Sequence, residues 1–162
     1  PAIKPAAAAG GPIAVWSTAA TTRSEYQRRL IETFAHGVEV TPVACAGLAE
    51  AVESADPRLI DDAVTYAAEL TPDDVRGVVL GCTHYDLVSE QITAALGGRV
   101  TLFTAAGAVA AQALRRIGDP PPGNRPGRVR VLASGRPAPM PAAALAYPAG
   151  RALAGGMRTP TP

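Results

Sequence analysis

Short apolar runs alternating with segments of helical period predict an α/β fold. The expected form is three-layered, a parallel sheet flanked by helices on both faces. Apolar runs at Ile13–Ser17, Val38–Val43, Gly77–Leu80 and Val100–Phe103 have the length of buried strands. Helical-period segments lie between them, as crossovers between parallel neighbours require. Gly and Pro punctuate the boundaries, at Gly11-Pro12, Gly37, Thr71-Pro72 and Gly97-Gly98. Right-handed crossovers follow from this arrangement.

The elements can be justified in order. Ala6–Gly11 lacks the leucine-rich core of a signal peptide and is expected to run straight into the first strand, Ile13–Ser17. Thr21 or Thr22 can cap a helix in which Tyr26, Leu30, Ile31 and Phe34 follow helical spacing, stopping near His36-Gly37. Val38–Val43 is the next strand and Ala46–Ser54 a short helix. Pro57 sits near the start of a further helix that reaches about Leu70, where Thr71-Pro72 ends it. Then come the strand Gly77–Leu80, a helix over Tyr85–Leu96, the strand Val100–Phe103 and an Ala-rich helix over Ala105–Ile117.

After Ile117 the texture changes. Residues 1–118 are expected to form one α/β lobe, and the Pro/Gly-rich stretch 119–127 a linker or long surface loop. Residues 128–154 read as one more strand (128–133) and a poor helix (139–153), and 155–162 as a disordered tail.

Composition narrows the function classes. The 162 residues suffice for one domain with a real core, and a net charge of +1 offers no basic stripe for nucleic acid. No run of about 18 apolar residues suggests a membrane span. Two cysteines, Cys45 and Cys82, make no disulfide framework, and with only His36 and His84 a structural zinc site is not expected. A reducing, cytoplasmic setting fits this cysteine usage. The chain begins with Pro rather than Met, which reads as a processed, excised or incomplete polypeptide.

The densest chemistry lies at Leu80–Asp86, Leu-Gly-Cys-Thr-His-Tyr-Asp. A thiol (Cys82) and an imidazole (His84) stand two residues apart, just past a strand and at the start of a helix. Free N–H groups and the positive end of the helix dipole favour a thiolate there, and the histidine can relay its proton. In parallel α/β sheets ligands bind at the carboxyl ends of the strands, which here carry Ser17–Thr22, Ala44-Cys45 and Gly81–His84. By spacing alone Cys82 is equally a small core thiol, and Thr18, Thr21 and Ser24 are equally helix caps. Cys45 reads as structural and His36 as an exposed helix-terminal residue. Glu50 and Glu53 share one helix face, where a solvated role competes with reaching His84.

These residues resemble a known family. Leu80–Leu87 is similar to the Leu-Gly-Cys-Thr-His-Tyr-Pro-Leu signature of bacterial glutamate racemases, members of the aspartate/glutamate racemase family. Thr18–Tyr26 resembles the family's Thr-x-x-Thr segment, and Cys45 followed by Glu53 its Cys-Pro…Glu segment. Leu102–Ala110 resembles its Asp-containing strand-to-helix turn, and Val129–Arg136 its late Val-x-x-Ser-Gly strand. The likeness runs in order over about residues 1–150.

The resemblance implies a racemase-like lobe and a cofactor-independent enzyme that inverts glutamate at Cα, supplying D-glutamate for peptidoglycan. In such enzymes two cysteines face opposite sides of the substrate, one removing the Cα proton and the other donating one. Cys82 would be one of them, His84 would orient it, and Glu53 would partner His84. Thr18, Thr21 and Thr83 would hold the substrate. The implied partner is the small-molecule substrate glutamate, with no cofactor, metal, nucleic acid or membrane and with room for a homodimer of the intact enzyme.

Departures are equally specific. The family's Asp-Ser-Gly-Gly and Ala-Cys-Asn-Thr segments, the latter with the second catalytic cysteine, have no match here, and Cys45 matches a non-catalytic position. The chain thus corresponds to the second half, with a C-terminal segment that in the family packs on the first lobe, and it is expected to be inactive alone. Asp86 replaces the signature's Pro, Thr104 a frequent Asp, and Ala46 follows Cys45 in place of Pro. The alternatives are an aspartate or hydantoin racemase, an arylmalonate-decarboxylase-like enzyme of the same fold, or a non-catalytic carboxylate-binding remnant.

Overall fold

A computed structural model of the protein describes residues 2–118 and 129–155. Four strands pair in parallel in the order β2-β1-β3-β4: β1 (Ile13–Ser17), β2 (Val40–Ala44), β3 (Gly77–Leu80) and β4 (Thr101–Phe103). Period-two burial divides the core. Ala14, Trp16, Val78 and Leu80 point to one face, and Ile13, Val15 and Val79 to the other. The first face is covered by α4 (Leu48–Ser54), α5 (Pro57–Glu69) and α6 (Ser89–Ala95). The second is covered by α1 (Ile3–Ala9) and the edge of α3 (Glu25–Phe34). The expected three-layer α/β architecture is therefore present. Trp16 anchors the larger core: fully buried, it donates from Nε1 to Thr71 Oγ1 at 2.9 Å, and that hydroxyl donates to Ala67 O.

Several boundaries differ from the sequence expectation. Helix α1 replaces the expected direct entry into β1; Pro5 falls in its first turn, where a missing N–H costs little. The helix expected to be capped by Thr21 or Thr22 and to stop near His36 begins later, because Ser24, in an extended conformation, is the residue that caps α3. A short unexpected helix, α2 (Ala19–Thr22), precedes it and is capped by Thr18. Strand β2 starts two residues later than expected, and α4 starts after Gly47, whose φ of 75° no helix accepts. The helix expected over Tyr85–Leu96 opens as a 3-10 turn at Tyr85–Val88, with Tyr85 N bonded to Cys82 O and Leu87 N to His84 O. Only then does α6 begin.

Beyond β4, α7 (Ala106–Ile117) forms as expected but buries no side chain. The single strand expected at 128–133 is instead a hairpin of β5 (Leu132–Ala133) and β6 (Arg136–Pro137). Its loop, Ser134-Gly135, has φ of 49° and 78°, the positive pair of a type I′ turn. The helix expected over 139–153 is a 3-10 turn (Ala142–Ala146) followed by α8 (Pro148–Gly155). Pro148 forces Tyr147 into extended backbone and then opens α8 as its first residue. Tyr147 fastens this segment to the lobe by donating to Val52 O at 2.6 Å. The expected linker (119–127) and the tail beyond 155 lie outside the described residues. No helix among the described residues is long and apolar enough to cross a membrane.

Candidate functional site

The chain leaves β1 toward β2 on one side and returns to β3 on the other, so the crevice opens between the carboxyl ends of β1 and β3. Gly81 makes that junction close. Its N–H donates to Trp16 O at 2.8 Å, and a Cβ there would stand 2.9 Å from that oxygen and 3.2 Å from the Ser17 Cβ. Only a residue without a side chain lets the next one, Cys82, emerge at the switch point.

Cys82 Sγ lies 3.4 Å from His84 Nδ1, and His84 Nε2 lies 3.2 Å from Glu53 Oε1. The pairing of Glu53 with His84 spans the gap between α4 and the 3-10 turn. A carboxylate on Nε2 fixes that nitrogen as the donor and leaves Nδ1 to accept the thiol proton. The three groups form a path along which a proton can leave sulfur. His84 is about one-third exposed and Glu53 two-thirds, so the path ends in solvent.

A cleft of about 500 Å³ opens beside Cys82. Thr21, Thr83, Gln27 and Asp86 give its polar lining, and Val15, Leu30 and residues of α7 its apolar walls. Thr18 is placed differently from Thr21. Its hydroxyl accepts from Thr21 N at 3.3 Å and lies 3.0 Å from Thr21 Oγ1, so it caps α2 and supports Thr21 rather than lining the cleft.

Cys45 is a structural thiol. It follows β2 directly and is buried, with Sγ 3.7 Å from Val43 O, and burial pushes its pKa up to about 12. Tyr85, fully buried, is raised as well by desolvation, and its hydroxyl makes no geometrically formed hydrogen bond among the described residues. Burial also raises the Asp86 carboxyl.

Two features escaped the sequence. Asp86 was visible only as a departure from a motif, not as cleft lining. Ser17 and Gln27 form a polar core under the cleft: Ser17 Oγ donates to Gln27 Oε1 at 2.7 Å and lies 2.7 Å from Thr22 Oγ1. The available signal was Ser24-x-x-Gln27, a capping-box pattern. Ser24 Oγ does accept from Gln27 N at 3.1 Å. The reciprocal bond is missing, because Ser24 N donates to Thr21 O instead and the Gln27 side chain is left for Ser17.

Comparison with known proteins points to one family. The glutamate racemase of Herpetosiphon aurantiacus is 37% identical over 146 residues, covering 85% of this chain and 58% of that protein. The chain belongs to the glutamate racemase family. It spans about half the length of the curated racemases it matches. Among solved racemases, isoform RacE1 from Bacillus anthracis is 30% identical with a TM-score of 0.56, over 72% of this chain and 48% of that one. The Escherichia coli racemase, solved with L-glutamate and the activator UDP-MurNAc-Ala, shares the fold at 24% identity and a TM-score of 0.64, over 83% of this chain and 55% of that one. No family model matches the chain.

Proposed function

We propose that this chain supplies one catalytic face of a cofactor-independent glutamate racemase, with Cys82 as the group that moves the Cα proton. The observation that carries this is the Cys82–His84–Glu53 path, 3.4 Å and 3.2 Å long in its two steps, whose thiol lines the cleft. In the deprotonating direction the Cα–H bond breaks, an S–H bond forms on Cys82, and the electron pair stays on Cα in conjugation with the carboxylate. Return of a proton from the opposite face completes the inversion. In the reverse direction Cys82 is the donor.

The Cα–H is a weak acid, so the developing negative charge needs donors fixed in advance. Thr83 and Thr21 line the cleft and suit that task, with Thr18 holding Thr21 in place. His84 orients the thiol and takes or returns its proton, and Glu53 keeps the ring in the required tautomer. The opposite thiol belongs to a segment without a match in this sequence. The same reading assigns the intact enzyme to D-glutamate supply for peptidoglycan in the cytoplasm.

Circular dichroism of L-glutamate incubated with the 162-residue chain tests the half-site. The expected result is a constant signal; turnover at full enzymatic rate would show that one thiol suffices. In an intact protein containing this chain, Cys82→Ala is expected to abolish racemisation from both enantiomers. Activity retained in that variant would remove Cys82 from the mechanism.

A further inference from the structure

The carboxylate end of the proton path sits on the last turn of α4. Glu53, which pairs with His84, stands one residue after Val52 and two before Ala55, where the helix stops. Seven residues make α4 too short to be stable by itself, so packing and end contacts must hold it. Its stop is also costly. Ala55 takes the left-handed conformation, φ 55°, that helix ends normally give to glycine. Local bonds offset part of that cost: Ser54 Oγ donates to Ala51 O at 2.8 Å, and the Ala55 N–H donates to Val52 O at 3.2 Å.

A further bond comes from outside the helix. Val52 O also accepts from the Tyr147 hydroxyl at 2.6 Å, across 95 positions of sequence. Tyr147 is itself well fixed, with its ring buried in the same core as Val52 and its N–H donating to Ala144 O at 3.2 Å. Arg151 Nη1 donates to Leu145 O at 3.1 Å and to Ala146 O at 2.6 Å, which locks the turn that presents Tyr147. Gly150 lets α8 cross that turn closely, since a Cβ there would run into Ala144 O. The Glu53 side chain, by contrast, is two-thirds exposed, and an exposed ion pair contributes little to holding itself together. The position of the helix end therefore decides whether Glu53 meets His84.

We propose that Tyr147 is a positioning residue for the proton path: by holding Val52 O it keeps the end of α4 where Glu53 reaches His84. The docking of residues 142–155 is thereby coupled to the group that steers the Cys82 proton. This rests on reading Cys82, His84 and Glu53 as that path.

The test uses the ¹⁵N-labelled 162-residue chain at about pH 8, where a free imidazole is neutral. The ring nitrogens of His84 are read through their couplings to the ring protons, and their shifts report which nitrogen carries the proton. Glu53→Ala defines the signature of the broken contact. Tyr147→Phe keeps the buried ring and removes only the hydroxyl. It is expected to move both nitrogens in the same direction, through an about fivefold larger population of the detached form, the factor set by one ordinary hydrogen bond. The ring of His36 and the indole N–H of Trp16, which is bonded to Thr71, should stay in place. Ala55→Gly added to Tyr147→Phe should return the His84 signals toward the wild type, because glycine takes the left-handed conformation freely. Absence of that return would overturn the link through the end of α4. If Glu53→Ala moves the His84 nitrogens and Tyr147→Phe does not, the positioning role is wrong and the path stands. The role is equally wrong if Trp16 and His36 move along with His84, since the loss is then a general loosening. If Glu53→Ala itself leaves His84 unmoved, the path and the inference fall together.

Discussion

Replacing Gly81 by alanine tests the geometry that brings Cys82 to the switch point. The added Cβ would lie 2.9 Å from Trp16 O and 3.2 Å from the Ser17 Cβ. Neither neighbour is the end of a flexible side chain: one is backbone and the other is the root of a fully buried serine. Relief therefore requires β1 and β3 to separate, which stretches the 2.8 Å bond from Gly81 N to Trp16 O. Overpacking of this kind costs about 2 kcal/mol, and for a chain of this size that lowers the melting temperature by about 6 °C. Gly107 in α7 is the internal control, because a Cβ there meets nothing within 4 Å. Gly107→Ala should stabilise by about 0.5 kcal/mol through helix propensity alone. Thermal and urea unfolding of both variants give the comparison. Equal behaviour of the two, or Gly81→Ala melting as the wild type does, would refute the claim that close strand approach sets the position of Cys82.

Further outcomes follow from the buried groups. Thr71→Val keeps the shape but removes the acceptor of the Trp16 N–H, and should cost about 1–3 kcal/mol by urea unfolding; no loss would mean that the indole finds another partner. Iodoacetamide near pH 8, read by peptide mass, should label Cys82 and leave Cys45 untouched, because Cys82 is partly exposed whereas Cys45 is buried with its pKa pushed up to about 12. The same burial sets an alkaline limit. The folded thiol titrates above its ordinary value of 9.0, so its contribution to stability is complete below about pH 9 and is lost as pH rises toward 12. Cys45→Ala should flatten that part of the stability curve.

How much of this the sequence revealed depends on which force set each feature. The strands of the sheet and the helix α5 were legible because apolar period and Pro or Gly punctuation are local signals. Where two local signals competed, the reading failed. Thr18 and Ser24 cap where Thr21 or Thr22 was expected to, so a short α2 precedes an α3 that starts late, and Pro148 splits the C-terminal helix by constraining Tyr147. The hairpin at Ser134-Gly135 was hidden by a strand reading that ignored its turn residues. At the site, Cys82 and His84 were legible as a pair from their spacing. The contact of Glu53 with His84 joins residues 31 positions apart and was suggested by the family resemblance, while helix-face spacing left it open beside a solvated role. Gln27 was missed because its role depends on a bond it does not make, the reciprocal half of a capping box.

The central claim is that Cys82 exchanges a proton with Cα from one face of the substrate. Its most direct test is nuclear magnetic resonance of L- and D-glutamate incubated with the 162-residue chain in D₂O, read with optical rotation. A thiol on one face, refreshed by solvent, should place deuterium at Cα of one enantiomer slowly and with retained configuration, and Cys82→Ala should stop it. Deuterium entering both enantiomers alike, wash-in that survives Cys82→Ala, or no wash-in at all would contradict the account.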